Sequence, residues 1–89
     1  MKTSTNTKTR LLVGARRMMG ARLQSRRLEL NMLQRELVRA VIYKSKRPLT
    51  ESQVSKIEAG KVSPSPFLLA AICAVLGVTV DWALKGDEK

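Results

Sequence analysis

The side chains best suited to chemistry in this sequence lie in the segment TESQVSKIEAGK, residues 50–61. A helix that begins at Glu51 and turns by about 100° per residue places Val54 and Ile57 on one side. The opposite side then carries two hydroxyls, one ammonium group and one methyl group, those of Ser52, Ser55, Lys56 and Ala59. Hydroxyl and ammonium groups at this spacing can form hydrogen bonds with a bound molecule, which is the chemistry of recognition.

The same chain offers little for catalysis. It has no histidine, the side chain that most often transfers protons and binds metals near neutral pH. No segment has the spacing of a zinc site, of a glycine-rich phosphate-binding loop, or of a nucleophile with a nearby base. The single cysteine, Cys73, lies in an apolar run and is predicted to be a buried hydrophobic side chain. The sequence therefore predicts a protein that is not an enzyme and that needs no metal or cofactor.

The outward side of the segment is narrow for a solvent-exposed helix. Such faces commonly carry long glutamate and lysine side chains that pair one turn apart, whereas this one carries short side chains and a single lysine. A narrow face lets a helix backbone approach its partner closely, as in the major groove of duplex DNA, which is about 12 Å wide. A plain surface helix with small residues is the alternative interpretation.

The charge balance also indicates an anionic partner. The 89 residues include 17 Lys and Arg and 7 Asp and Glu, a formal net charge of +10 at pH 7. Residues 1–61 carry fifteen basic and four acidic side chains, and residues 62–89 carry two and three, so the excess positive charge lies in the first part of the chain. This asymmetry predicts a nucleic acid or an anionic membrane surface as the partner, with a merely solubilising basic surface as the alternative. Several arginines on the outer side of the first helix are interpreted as solvated or phosphate-binding: Arg16, Arg17, Arg22 and Arg26.

The aromatic side chains favour duplex DNA over single-stranded DNA or RNA. Proteins that bind single strands stack bases on several exposed aromatic rings. This chain has three aromatic residues, and two of them, Phe67 and Trp82, lie in apolar segments and are predicted to be in the core. Double-stranded DNA is therefore the better candidate.

The spacing of apolar residues predicts an all-α fold of five short helices in a single domain, residues 11–86. Residues 1–10, which are polar and rich in threonine, are predicted to be a disordered basic arm, and residues 87–89 a C-terminal tail. Gly14 and Gly20 each weaken the first helix by about 1 kcal/mol relative to alanine, so its extension back to residue 11 stays open. The predicted helices cover residues 19–29, 34–43, 51–59, 66–76 and 80–85.

Local signals mark the ends of these helices. Asn31 is suited to a left-handed exit from the first helix, and Gly60 to the exit from the third. Thr50 and Gln53 have the spacing of a capping box at the start of the third helix. The apolar run FLLAAICAVL, residues 67–76, is expected at the centre of the core.

Two longer runs, GARLQSRRLELNMLQREL and TESQVSKIEAGKVSPSPFLLAAICAVLGVTVDWALKG, carry a resemblance to a known family. From Met19 to Gly86 the chain resembles the phage-repressor (lambda-repressor-like, Cro or Xre) helix-turn-helix family. The matching features are Gln34 at a helix start, the block VSKIEAGK, the loop SPSP and the run GVTVDW. The resemblance implies a compact five-helix lambda-repressor-like DNA-binding domain.

The resemblance also implies roles for individual residues. The helix that begins at Glu51 would be the recognition helix, and Gln34 would bind a phosphate and brace that helix. Arg27 in the first helix would form a structural ion pair with Glu58. The residues that would face base edges are Glu51, Ser52, Ser55 and Lys56. Phosphate contacts are implied for Gln34, Gln53 and Lys61, to which the basic charge of nearby segments adds Arg35, Arg39, Lys44, Lys46 and Arg47.

The chain departs from the family pattern between the second and third helices. More residues separate Gln34 from Val54 than in the compact motif, and the excess falls in VIYKSKRPL, residues 41–49. The sequence therefore predicts an elongated turn over residues 42–49, whose conformation stays open. Its three cations are interpreted as an additional phosphate contact, against the alternative of a merely solvated linker.

Together these features predict a sequence-specific double-stranded DNA-binding transcriptional regulator, a repressor that inserts the helix over residues 51–59 into the major groove. The lack of a long apolar span predicts a cytoplasmic protein, and the resemblance implies a homodimer on a pseudo-palindromic site. One alternative is the DNA-binding antitoxin of a toxin–antitoxin pair, which would also bind a small partner protein. An alternative of another class is a basic membrane-surface or adaptor protein that uses an amphipathic N-terminal helix.

Overall fold

The structure, a computed structural model, describes the backbone of residues 2–86 and the side chains of residues 13–86. Within that part of the chain there are five helices and no strand, which confirms the predicted all-α class. The predicted tail, residues 87–89, lies outside the described residues. The helices are α1 (Lys2–Glu29), α2 (Gln34–Ser45), α3 (Glu51–Glu58), α4 (Pro66–Leu76) and α5 (Val80–Lys85).

Helix α1 is longer than the sequence predicts. It begins at Lys2, so the backbone of residues 2–10 is helical, whereas the sequence predicts a disordered arm over residues 1–10. That segment contains no proline or glycine, the residues that end helices most readily. Further along α1, one stripe of side chains spaced four residues apart is buried against the other helices: Met19, Leu23 and Arg27. Neither α1 nor any other helix in the described range is long and apolar enough to cross a membrane.

Helix α4 lies at the centre of the core, as its apolar sequence predicts. It contacts α1, α2 and α5, and four of its side chains are buried: Leu69, Ile72, Cys73 and Leu76. The buried side chains that α1, α2 and α3 add to the same cluster include Leu23, Leu37, Val41, Val54 and Ile57. Trp82 of α5 packs, partly buried, against this cluster, in agreement with its predicted position.

The prediction that Phe67 lies in the core is wrong. Its side chain is in the first turn of α4 and is 68% exposed. Two helical positions correspond to about 200° of rotation, so Phe67 points away from the side on which Leu69 is buried. The apolar residues around Phe67 in the sequence do not show that its side chain lies on the exposed side of α4.

The connection between α2 and α3 is shorter than the predicted turn over residues 42–49. Helix α2 continues to Ser45, so part of the extra sequence prolongs the helix and only residues 46–50 form a loop. Lys46 ends α2 in a left-handed conformation with φ 61°, and its N–H donates back to a carbonyl of α2 at 2.8 Å. Leu49 is buried and attaches the loop to the core.

Two arginines of α1 bind carbonyl groups near the C-terminal ends of other helices, where backbone acceptors lack partners within the helix. Arg26 Nε donates to the carbonyl oxygen of Leu76 at 2.8 Å, at the end of α4. Arg22 Nη1 donates to the carbonyl oxygen of Ala83 at 3.0 Å, in α5. The interpretation of Arg22 and Arg26 as solvated or phosphate-binding side chains misses this structural role.

Cys73 is expected to resist thiol reagents while the domain is folded. Its side chain is buried in α4, and burial raises the pKa of the thiol, so the reactive thiolate is scarce at neutral pH. A chromogenic disulfide reagent should modify the native protein much more slowly than the same protein in concentrated denaturant. Equal rates in the two states would contradict the buried position.

Candidate nucleic-acid interface

Helix α3 has well-defined ends. At its start, Thr50 Oγ1 accepts a hydrogen bond from Gln53 N at 3.1 Å, and Gln53 Oε1 accepts one from Thr50 N at 2.9 Å. This is the predicted capping box, which satisfies two backbone N–H groups. At its end, Gly60 has φ 77°, which glycine adopts with little strain, and Lys61 N donates to Lys56 O at 2.9 Å. The helix is therefore limited to eight residues.

The two sides of α3 are divided as the helical period predicts. Val54, Ile57 and Glu58 are buried. The side chains predicted to face base edges are all exposed, as is the alanine that follows the helix: Glu51, Ser52, Ser55, Lys56 and Ala59. Because most of these side chains are short, the backbone of α3 is accessible to a partner.

A buried ion pair joins the C-terminal end of α3 to α1. Arg27 Nε donates to Glu58 Oε2 at 2.7 Å and Arg27 Nη2 donates to Glu58 Oε1 at 3.0 Å, a bidentate arrangement. Arg27 Nη1 also donates to the carbonyl oxygen of Met32 at 2.6 Å. Both partners of the pair are buried, with 6% of Arg27 and 7% of Glu58 exposed. The predicted pair of Arg27 and Glu58 is therefore present.

Gln34, the first residue of α2, binds the same carboxylate. Its Nε2 donates to Glu58 Oε1 at 3.0 Å, which is the predicted bracing contact. The backbone at this helix start is capped by Glu36, whose Oε1 accepts a hydrogen bond from Leu33 N at 2.8 Å. One carboxylate therefore joins α1, α2 and α3, and it fixes the orientation of α3 relative to α2.

Gly20 of α1 permits close packing against the end of α3. A Cβ atom at Gly20 would lie 2.7 Å from the carbonyl oxygen of Glu58 and closer still to that of Ile57. In the sequence, Gly20 is interpreted only as a residue that weakens a helix. The signal that could have identified its role is its position inside a strong helical pattern, where a glycine often has a packing reason.

The basic side chains predicted to contact phosphate are all exposed. They lie on α2, in the loop before α3 and directly after α3: Arg35, Arg39, Lys44, Lys46, Arg47 and Lys61. Gln53 is also exposed, but its carboxamide oxygen accepts the capping hydrogen bonds from Thr50. Its amide nitrogen is the group that remains for an external partner. With Lys56, the segment from α2 to Lys61 therefore presents seven cationic groups to solvent.

The sequence that forms this surface matches a known family. A family model described as helix-turn-helix (HTH_3) matches residues 23–82. The chain belongs to this family. It is therefore a phage-repressor-like (Xre or lambda-repressor-like) helix-turn-helix protein, and a DNA-binding transcriptional regulator. No solved structure matches the chain significantly.

The helix-turn-helix match covers the elements that form the exposed surface. It includes the whole of α2, α3 and α4, the C-terminal part of α1, and α5 as far as Trp82. The network of Arg27, Gln34 and Glu58 lies within it. Residues 2–22 of α1 precede the matched range.

Proposed function

We propose that this regulator is a sequence-specific repressor that binds double-stranded DNA by inserting α3 into the major groove. The observation that supports this most directly is the exposure of Ser52, Ser55 and Lys56 on the narrow side of a helix whose other side is buried. A helix with short outward side chains can bring its backbone and polar groups within hydrogen-bonding distance of base edges. Bound over a promoter in this way, the domain would exclude other proteins from the same DNA.

The exposed groups of α3 have the chemistry needed to distinguish base pairs. A lysine such as Lys56 can donate to O6 or N7 of guanine, and a carboxylate such as Glu51 can accept from N4 of cytosine. The hydroxyls of Ser52 and Ser55 can donate or accept, so they are compatible with several bases. We assign base recognition to these four side chains.

We assign phosphate contacts to side chains on α2, in the loop before α3, in the first turn of α3 and directly after α3. Such contacts set the register of the protein on the duplex but carry no sequence information. Each neutralised phosphate contributes about −0.9 to the slope of log affinity against log salt, so binding should weaken steeply as salt rises. The set comprises Gln34, Arg35, Arg39, Lys44, Lys46, Arg47, Gln53 and Lys61.

Replacing Lys56 by alanine is expected to relax base preference at one position of the site. The loss of discrimination should be about 1–3 kcal/mol at that base pair, because the ammonium group is proposed to contact a base edge. Selection of bound duplexes from a random pool, first with the wild-type protein and then with Lys56→Ala, measures this change.

Lys61→Ala is the matched control, because it removes the same charge just beyond α3. It should weaken binding to all sequences alike and reduce the magnitude of the salt slope by about 0.9. If Lys56→Ala also weakens all sequences equally, then Lys56 binds phosphate, and the proposed insertion of this face into the groove fails.

We further propose that the protein binds as a homodimer to a pseudo-palindromic site. Two-fold symmetry would place two copies of α3 about 34–36 Å apart, which is one turn of the duplex. Leu84, which is exposed on α5, supports the final helix as a candidate contact between the copies. Inverted half-sites at this spacing among the selected duplexes are the expected result, and isolated half-sites would contradict it.

A further inference from the structure

The loop between α2 and α3 carries two cations that lie over aromatic rings. The guanidinium carbon of Arg47 is 5.2 Å from the ring centroid of Phe67. The ammonium nitrogen of Lys46 is 4.6 Å from the ring centroid of Tyr43. Both distances are within the range of a cation–π interaction, which extends to about 6 Å. Each cation is therefore restrained although it is exposed to solvent.

The two rings are not part of the core. Phe67 is 68% exposed and Tyr43 is 79% exposed. Tyr43 and Lys46 are close in the chain, so their contact is local. Phe67 belongs to α4, so its contact with Arg47 ties the loop to a second element of the fold. The Arg47–Phe67 pair therefore restrains where the loop lies as well as how one side chain is oriented.

The backbone on either side of Arg47 is also restrained. Ser45 Oγ donates to the carbonyl oxygen of Val41 at 2.7 Å and accepts a hydrogen bond from Arg47 N at 3.2 Å. On the other side of Arg47, Leu49 is buried in the core. The position of Arg47 is thus set by its own backbone, by a buried neighbour and by the ring of Phe67.

Arg47 lies near the starts of two helices. It precedes Thr50, the N-cap of α3, by three residues, and Phe67 follows Ser65, the N-cap of α4, by two. The N-terminal ends of helices carry partial positive charge, so Arg47 adds a full charge to a region that already favours anions. A guanidinium that packs on a ring keeps its in-plane N–H donors available for a bidentate contact with phosphate.

We propose that Phe67 is a positioning residue that holds Arg47 for contact with a phosphate of the duplex that α3 reads. This inference rests on the proposed function, because it places the phosphate beside the groove that α3 occupies. A side chain that is oriented before binding loses less conformational entropy when the complex forms. Phe67 acts through Arg47 and makes no contact of its own with the DNA.

A double-mutant cycle tests this coupling on a duplex selected by the wild-type protein. Arg47→Ala should raise Kd about 10-fold, because a charged hydrogen bond to phosphate is lost. Phe67→Leu should raise Kd about 2- to 5-fold in the wild-type background and leave it almost unchanged in the Arg47→Ala background. Phe67→Tyr is the matched control: it keeps the ring face and should bind like the wild-type protein.

Ethylation of single phosphates identifies the phosphate group of the duplex that Arg47 contacts. At one phosphate, ethylation should weaken the binding of the wild-type protein, leave the Kd of Arg47→Ala unchanged, and raise the Kd of Phe67→Leu by a smaller factor than that of the wild type. Phe67→Tyr, which keeps the ring face beneath Arg47, should leave the wild-type pattern unchanged. An equal effect of Phe67→Leu with and without Arg47 would overturn the proposal, as would a lower Tm for Phe67→Leu with an unchanged Kd.

Failure of this inference can be distinguished from failure of the proposed function. If Lys56→Ala changes base preference while the Arg47–Phe67 cycle shows no coupling, α3 reads the groove and only the positioning role is overturned. If the wild-type protein selects no duplex at all, the proposed function fails and the positioning role fails with it.

Discussion

Replacing Glu58 by alanine is expected to lower the free energy of unfolding by about 3–5 kcal/mol, the cost of breaking a buried ion pair by removing one partner. The variant would leave the guanidinium of Arg27 buried without its carboxylate, since only 6% of Arg27 is exposed. It would also remove the acceptor that Gln34 Nε2 binds. Urea denaturation followed by the helical circular dichroism signal measures the change, and Tm should fall by about 4–8 °C for each kcal/mol.

Glu29→Ala is the matched control for this variant, because it removes an exposed ion pair that another arginine of α1 forms. Arg26 Nη1 and Glu29 Oε1 are 3.2 Å apart, but the two side chains are 32% and 63% exposed. Solvent screening should keep the loss within about 1 kcal/mol. A Glu58→Ala protein that melts like the wild type and loses only DNA binding would show that Glu58 does not have the structural role described above.

Gly20→Ala is expected to destabilise the domain by about 2–3 kcal/mol, even though alanine is the better helix former. The added methyl group would meet the backbone carbonyl oxygens of Ile57 and Glu58, and neither oxygen can rotate away as a side chain could. Helix α1 and the end of α3 would therefore have to separate. The Arg27–Glu58 pair bridges the same two helices, so the separation would also lengthen its hydrogen bonds.

Gly14→Ala, in the same helix, is expected to have the opposite effect on the stability of the domain. A Cβ atom at Gly14 has nothing within 4 Å, so the substitution should stabilise the domain by about 0.5–1 kcal/mol through helix propensity alone. Thermal and urea denaturation of the two variants measure the difference. If both variants are more stable than the wild type, α1 and α3 do not approach each other as closely as the structure indicates.

The substitutions at Glu58 and Gly20 also connect the stability of the domain with DNA recognition. Both Glu58 and Gly20 set the position of α3 relative to α1, and α3 carries the side chains proposed to read bases. At a temperature at which the protein stays folded, Gly20→Ala should therefore weaken binding to the selected duplex, whereas Gly14→Ala should not. The effect would arise from displacement of the recognition helix, since neither glycine is proposed to contact DNA.

The helix ends of α3 could be predicted because their signals are local. Thr50 and Gln53 are three residues apart, and the left-handed exit at Gly60 requires only that residue and its neighbours. The division of α3 into a buried and an exposed side follows from the helical period in the same way. For such features, the partners that decide the conformation are adjacent in the sequence.

The Arg27–Glu58 pair could be predicted from the family resemblance but not from local signals in the sequence. Its partners are separated by 31 positions, and no spacing or composition connects them. The resemblance to a family of known fold predicts the pair because it supplies the tertiary arrangement that the residues themselves do not state. The same resemblance does not extend to the added residues before α3, where the structure places the end of α2 at Ser45 and the loop after it.

Tertiary contacts alone decided the roles of several side chains that composition describes incorrectly. Phe67 looks like a core residue and is exposed under Arg47, whereas Arg22 and Arg26 look like solvated cations and bind backbone carbonyls of α5 and α4. Gly20 looks like a defect in a helix and is a point of close approach. In each case the residue contacts a helix or loop that is distant from it in the chain. Local propensities specify the helices, but only their packing determines which faces meet and which groups remain free to bind DNA.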